Sequence, residues 1–323
     1  MKTQLLFLRD TSDELIETLE RNGPIQCMQT PPVHLARTPN FEQYGGNGLL
    51  SPDHIHGINT SLKSALTCSS NASELPSHEL EVVAIALQLV KPTRNFCKYC
   101  VGVDDNDVIQ QATVDMQFLR GVVISDPYLR YQQHHTMATS DVERAIKFVP
   151  TLLQVLEQGY GSWVHPFGSI HRAVIFFAQG YSAGLGVLRQ VLWAAGLDCL
   201  FSSKLKRSLQ GAKTISRRLQ KLFGPDFDPY IADTVVVPSH QQRPPIRLDC
   251  IGEHILWLRN AYMHGLPLNA NWLSNQGQPE ESGYAYLLCE CTEILLRTTL
   301  LKILEDSMLL ETFSDPVKLD SYF

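Results

Sequence analysis

Arg259 and His264 are the two residues whose chemistry and spacing point most directly to a reaction. Four residues separate them, at the end of an apolar helical pattern that begins near residue 248. A fixed guanidinium binds phosphate and stabilises the negative charge that develops during phosphoryl transfer. An imidazole titrates near neutral pH, so it can take a proton from a ribose 2′-hydroxyl or return one to the leaving oxygen. The pair therefore suggests RNA cleavage.

The context of this pair is more informative than its spacing, because Arg130 and His135 show the same gap. A polar Asn260 follows Arg259, and Gly265 follows His264 where a helix is expected to end. A helix C-terminus also favours the protonated imidazole, which suits an acid. The structural alternative is an arginine in an ion pair and a histidine that caps backbone carbonyls.

A basic segment covers residues 202–223. It holds seven of the 27 lysines and arginines and no acid, on the side opposite an apolar stripe. We predict that this helix face contacts the phosphate backbone of a nucleic acid, although a solvated surface explains the same charges. The basic residues are Lys204, Lys206, Arg207, Lys213, Arg217, Arg218 and Lys221, of which Lys206, Lys213, Arg217, Arg218 and Lys221 are the predicted RNA contacts.

Two further motifs have weaker support. Residues 180–184 fit the G-x-S-x-G pattern of a serine hydrolase, with Ser182 as nucleophile, but the preceding apolar spacing is helical where the motif needs a strand. Cys97 and Cys100 are half a zinc site, which His134 and His135 would have to complete at a spacing without a known signature. We favour small residues at a helix end and reduced cysteines, and we expect no metal or other cofactor.

The elements that must position these residues change in character near residue 140. Residues 1–139 have short apolar runs between turn-rich stretches, which predicts a mixed or β-rich domain. From residue 140 onward the apolar spacing is helical, and Ser140 with Glu143 has the spacing of a capping box. The fold class is thus α+β, with domains 1–139 and 140–323. Predicted helices cover residues 140–157, 170–181, 186–201, 202–223, 248–264 and 281–310.

The composition restricts the functional class. The chain has 323 residues, 44% of them hydrophobic and 19% charged, so it is globular and not disordered. Its apolar runs are too short to span a membrane, and the apolar patch near the N-terminus is too short for a secretion signal. We therefore expect a cytoplasmic protein with reduced cysteines. The net charge of −6 argues against general nucleic-acid coating and leaves room for a local basic site.

Two blocks of the second half resemble a HEPN domain of the type found in ApeA-like anti-phage proteins. The segment 258–265 matches the family's Arg-x4–6-His motif, including the polar residue after the arginine. Residues 188–201 are similar to a family helix that ends in Ala-Leu-Glu-x-Leu-Phe, with Asp198 at the position of the glutamate. The resemblance covers roughly residues 140–310.

The resemblance implies a metal-independent endoribonuclease that acts as a homodimer, with the motifs of two protomers facing each other across a cleft. Arg259 would bind and polarise the scissile phosphate, and His264 would act as base or acid. Asn260 would orient the pair, and Asp198 would hold Arg259 or His264. The products would carry 2′,3′-cyclic phosphate and 5′-hydroxyl ends. Residues 1–139 resemble no family that we can name, and we hypothesise a sensor or regulatory role for them, with a phage-derived activator, because the N-terminal part of related two-domain proteins senses an invader component. The alternative is a catalytically inactive HEPN-type helical module that binds RNA or protein.

Overall fold

A computed structural model describes most of the chain and confirms the α+β class, with an antiparallel sheet followed by a mostly helical region. The chain folds into two compact units, residues 1–154 and 155–323. None of the described helices is long and apolar enough to cross a membrane. The described residues are 2–8, 11–39, 53, 56, 58, 62–70, 77–91, 96–104, 109–114, 136–159, 167–183, 186–201, 211–227, 248–265 and 281–323.

The N-terminal unit contains a six-stranded sheet in which every pairing is antiparallel. The described elements before residue 139 are β1 (Lys2–Leu8), α1 (Asp13–Asn22), β2 (Ile25–Gln29), β3 (Pro32–Arg37), β4 (Ser64–Ser70), α2 (His78–Val90), β5 (Phe96–Val103) and β6 (Ile109–Val114). The strand order is β2-β3-β4-β1-β5-β6, so the first strand lies at the centre. Helices α1 and α2 lie between strands along the chain.

Strand β1 is buried on both faces, which explains the apolar patch near the N-terminus. Leu5 and Phe7 on one face join a core cluster with Ile58 and Leu62. On the other face, the side-chain carbonyl of Gln4 accepts a hydrogen bond of 2.8 Å from the backbone N–H of Ser77, just before α2. A central strand covered on both sides reads as a continuous apolar run rather than an alternating one.

Helix α3 (Thr139–Gly159) begins where the sequence predicts, but a different carboxylate caps it. The side chain of Asp141, rather than Glu143, accepts a hydrogen bond of 2.8 Å from the backbone N–H of Ala138. Asp141 also pairs with Lys91, at 2.9 Å. The pair with Lys91 fastens the start of α3 to the end of α2, and the boundary between the compact units falls further along this helix, after residue 154.

The described part of the C-terminal unit after α3 is helical. Its elements are α4 (Gly168–Ser182), α5 (Gly186–Phe201), α6 (Gly211–Phe223), α7 (Ile251–His264), α8 (Glu281–Glu305), α9 (Ser307–Ser314) and α10 (Pro316–Tyr322). Helix α5 packs against α4, α6, α7 and α8. The prediction of one helix over 281–310 is wrong, because Asp306 separates α8 from α9 and its side chain accepts a hydrogen bond of 2.8 Å from the backbone N–H of Met308.

Candidate functional site

The candidate site forms where α7 packs against α5, and an ion pair joins the two helices. Nη1 of Arg259 on α7 lies 3.0 Å from Oδ2 of Asp198 on α5, although 61 positions separate the residues in the sequence. The side chains are 24% and 35% exposed, so solvent reaches both groups. The contact brings together two of the four predicted catalytic residues and leaves the guanidinium accessible to a ligand.

Asn260 holds the same guanidinium from a second direction. Its Oδ1 accepts hydrogen bonds from Nε and Nη2 of Arg259, at 3.2 and 3.1 Å. A carboxylate and an amide oxygen therefore fix the plane of the guanidinium, which matters because the N–H fork is planar and directional. The contact joins Asn260 to Arg259, one of the two residues that the resemblance expects it to orient.

His264 is the last residue of α7, and its side chain is exposed. Gly265 ends the helix in the left-handed conformation, with φ of 61°, and its N–H bonds to the carbonyl of Ala261. Residues three or four positions apart share a helix face, so His264 lies one turn beyond Asn260 on the same side. The five-residue step from Arg259 turns His264 by about 140° around the axis and moves it by about 7.5 Å along the axis.

The apolar face of α7 determines which side chains remain outside. Ile255, Leu258 and Ala261 are buried, and the intervening turns leave Asn260 and His264 in solvent. Gly252 allows close approach to α6, since a Cβ atom there would lie 2.2 Å from the backbone oxygen of Ala212. The Gly252 N–H donates instead to the Ser216 hydroxyl at 2.9 Å.

The burial of Arg218 removes this residue from the predicted RNA-binding surface. It is 3% exposed, and its Nη1 donates a hydrogen bond of 2.8 Å to the carbonyl of Phe201, the last residue of α5. Nη2 pairs with Asp320 on α10, and the guanidinium lies over the ring of Phe323. Arg218 flanks the apolar stripe of Ile215 and Leu219, so packing covers it. It caps and holds α5, and it is not a surface contact.

The other predicted RNA contacts are differently placed. Lys213, Arg217 and Lys221 are exposed on α6. Lys221 donates to the backbone carbonyl of Tyr322 and lies over the ring of that residue. Lys206 lies outside the described residues, with the first half of the predicted 202–223 helix. Lys213 and Arg217 are therefore the exposed side chains on which the proposed RNA-binding surface mainly depends within the described residues.

Sequence reasoning missed the surroundings of Cys199, next to Asp198 on α5. Burial raises the pKa of the Cys199 thiol, whereas a hydrogen bond from Arg172 and the charge of Arg172 lower it. Asp198 raises the same pKa and Arg259 lowers it. Arg172 lies on α4, and its charge also contributes, after burial, to a lowered pKa of His171. The sequence gives no signal for this, because the contact joins residues on two different helices.

The two weaker motifs gain no support from the described residues. Residues 168–182 form a helix, as expected from the spacing, whereas a nucleophile elbow requires a strand before Ser182. Burial raises the pKa of Cys100 to about 12, which favours a protonated thiol. His134 and His135 lie outside the described residues. Within the described part of the chain, no group of three or more potential metal-binding side chains occurs.

Comparison with known proteins adds no relationship: the chain matches no protein-family model, no curated protein and no solved structure. The HEPN resemblance therefore stays a prediction that depends on residues 188–201 and 258–265 of this chain.

Proposed function

We propose that this protein is a metal-independent endoribonuclease whose active site is built on Arg259 and His264. The observation that carries the proposal is the guanidinium of Arg259, which Asp198 holds at 3.0 Å and Asn260 at 3.1 and 3.2 Å. A guanidinium fixed in this way and partly open to solvent is suited to bind a phosphate in one orientation. The predicted motif and its geometry therefore support the same chemistry.

Each residue has a defined part in the proposed reaction. Arg259 binds the scissile phosphate and stabilises the charge of the transition state. His264 takes the proton of the 2′-hydroxyl, which attacks the adjacent phosphorus, or protonates the departing 5′-oxygen. Attack by the 2′-hydroxyl leaves a 2′,3′-cyclic phosphate on one product and a 5′-hydroxyl on the other. Asp198 and Asn260 orient Arg259 and do not touch the reacting atoms.

A homodimer is part of the proposal, and helix geometry supports it. Within one protomer, Arg259 and His264 project about 140° apart around α7, which is unfavourable for gripping a single phosphate. A second copy that presents its own α7 across a cleft would supply the missing group. The exposed side chains of Asn260, Met263 and His264, which lie together at the end of α7, provide such a facing surface.

The biological setting that we propose follows the resemblance. The protein would act in the cytoplasm in anti-phage defence, with the N-terminal unit sensing a phage-derived activator. RNA would reach the cleft along the exposed basic residues Lys213 and Arg217 of α6. Because α6 packs against both α5 and α7, this surface belongs to the same helical unit as the candidate site.

The test is cleavage of total tRNA and of a phage transcript by the purified protein, with EDTA present throughout. We expect the wild type to release cyclic-phosphate ends, and we expect Arg259→Ala and His264→Ala to lose at least about 100-fold in rate. Arg21→Ala and His78→Ala are matched controls, since both side chains are exposed on helices of the N-terminal unit. Equal cleavage by all variants would place the activity elsewhere or in a contaminant.

A catalytically inactive HEPN-type module is the second candidate. The observation that favours it is the Asp198–Arg259 ion pair itself, because a carboxylate occupies part of the guanidinium that would bind phosphate. This function predicts RNA or protein binding without cleavage, even after phage lysate is added as a source of activator. Release of cyclic-phosphate ends under those conditions would exclude it.

A further inference from the structure

We propose that Arg172 on α4 forms a second phosphate subsite beside Arg259 and binds the RNA phosphate next to the scissile one. The inference rests on the proposed function, in that it takes the ligand to be RNA. It adds a residue from a third helix, which neither the motif nor the resemblance includes.

The packing of α4 against α5 places Arg172 at the level of the candidate site. A Cβ at Gly180 would lie 2.1 Å from Trp193 Nε1, and one at Gly196 would lie 3.5 Å from the carbonyl of Ala173. As residue numbers rise from 193 to 196 along α5, the numbers of the contacting residues on α4 fall from 180 to 173. The two helices are therefore antiparallel. Cys199, three positions beyond Gly196, lies on the same face of α5 and therefore toward the α4 turn that holds Arg172, while the neighbouring Asp198 reaches α7.

Side-chain contacts agree with this register. Arg172 donates a hydrogen bond to the sulfur of Cys199, and the charges of Asp198 and Arg259 act on the same sulfur. The Cys199 thiol is therefore flanked by a guanidinium from α4 and a guanidinium from α7. Arg172 is partly exposed, as is Arg259. A guanidinium carries five N–H donors, so it can hold a sulfur and a phosphate oxygen at the same time.

The charges of this cluster favour an anion. Arg172 and Arg259 contribute two positive charges, Asp198 contributes one negative charge, and burial keeps the Cys199 thiol protonated by raising its pKa. The cluster is thus positive within a chain of net charge −6. One guanidinium can bind the scissile phosphate while the second binds its neighbour, because a single RNA strand presents one phosphate per nucleotide. Two such contacts would also fix the line along which the strand lies.

The test measures binding of a fluorescein-labelled 2′-O-methyl RNA dodecamer by anisotropy, at several KCl concentrations. The methyl groups block the attacking hydroxyls, so binding is measured without cleavage. We expect Arg172→Gln to weaken binding roughly three- to tenfold and to lower the slope of log Kd against log [KCl] by about 0.7, the loss of one phosphate contact to a single strand. Arg172→Lys should keep most of the slope, because the charge remains.

Two controls separate phosphate binding from a structural role. Arg21→Gln, the same change on an exposed residue of α1, should leave affinity and slope unchanged. Thermal unfolding of each variant checks the fold. If Arg172→Gln is unfolded, Arg172→Met takes its place, because it removes the charge and keeps the apolar part of the side chain. A loss of slope of about 0.7 is again expected, and a wild-type slope would overturn the subsite.

The outcomes distinguish this inference from the proposed function. If the wild type cleaves unmodified RNA and Arg172→Gln binds the dodecamer with wild-type affinity and slope, the subsite is overturned and the nuclease stands. If the slope falls as expected but the wild type cleaves nothing, even after phage lysate is added, the subsite stands and the nuclease proposal fails. A wild type that does not bind the dodecamer overturns the subsite.

Discussion

At the scale of single residues, the Asp198–Arg259 ion pair is better explained by orientation than by stability. Pairs open to solvent contribute at most about 1 kcal/mol to folding, and both side chains here are partly exposed. A guanidinium held at a fixed angle, however, changes the rate of any reaction that depends on where its N–H groups point. The shorter aspartate, at a position where the resembled helix has glutamate, still reaches Arg259 at 3.0 Å.

The first prediction follows from this orienting role. Asp198→Asn removes the charge but keeps the shape, so Arg259 should stay folded in place while its orientation loosens. We expect RNA cleavage to fall about 10- to 100-fold, with a melting temperature close to that of the wild type. Initial rates and thermal unfolding of the same preparation measure both effects. Asp198→Glu should retain most activity, and an unchanged rate for Asp198→Asn would contradict the role.

At the scale of elements, Arg218 holds the C-terminal end of α5 through a hydrogen bond and an ion pair. The last helical carbonyls lack partners within the helix and attract positive charge. Arg218 bonds to the carbonyl of Phe201, and Asp320 on α10 neutralises it. The rings of Phe201, Phe313 and Phe323 pack edge to face around the same point. The C-terminal helix therefore helps to fix α5, the helix that carries Asp198.

The second prediction compares neighbouring arginines on α6. Arg218→Ala should lower the free energy of unfolding by about 3 kcal/mol, because it leaves the carbonyl of Phe201 and the carboxylate of Asp320 without their partner. Arg217→Ala should change it by less than about 0.5 kcal/mol, as expected for an exposed side chain. Urea unfolding of both variants measures the difference, and equal stabilities would contradict the burial of Arg218.

Arg217 and Arg218 should also differ in their effect on RNA binding, and here Arg217 should have the larger effect. Arg217→Glu, with Lys213→Glu, should weaken binding and its salt dependence if α6 contacts phosphate. Undiminished binding by this double variant would remove α6 from the proposed RNA surface. Arg218 should affect binding only through the stability of the fold.

At the scale of the whole molecule, helix α3 is shared between the two compact units. Residues up to 154 belong to the N-terminal unit, and the ion pair between Lys91 and Asp141 ties the start of the helix to it. The first half of α3 carries a buried apolar face of Val142, Ala145, Phe148, Val149 and Leu152, each at most 1% exposed. Any separation of the proposed sensor from the proposed nuclease must take this shared helix into account.

The third prediction concerns where the chain can be cut. A fragment of residues 140–323 should expose the apolar face of the first half of α3, because the unit to which that half belongs is missing. A fragment of residues 155–323 should avoid this exposure. We expect the longer fragment to bind more of the dye ANS and to aggregate more, as measured by fluorescence and size-exclusion chromatography. Equal behaviour would show that this half of α3 does not depend on the N-terminal unit.

Much of the fold could be predicted from the sequence, because it depends on local periodicity. The first and last residues of α4 and α5 lie within two residues of the predicted ones, because apolar side chains three and four positions apart define one helix face. The end of α7 was predictable for a similar reason, because Gly265 takes up the left-handed conformation there. The positions of Arg259, Asn260 and His264 at a helix end therefore follow from the sequence alone.

What only the tertiary structure decided is which side chains meet across helices. Arg217 and Arg218 are the same residue type at adjacent positions, yet one is exposed and the other is buried under α10. Asp198 reaches Arg259 from 61 positions away, and Arg172 reaches Cys199 from another helix. Sequence periodicity fixes which face of a helix is apolar. The partner of that face, and the angle at which it packs, are set by long-range burial, which determines the charge and geometry around the candidate site.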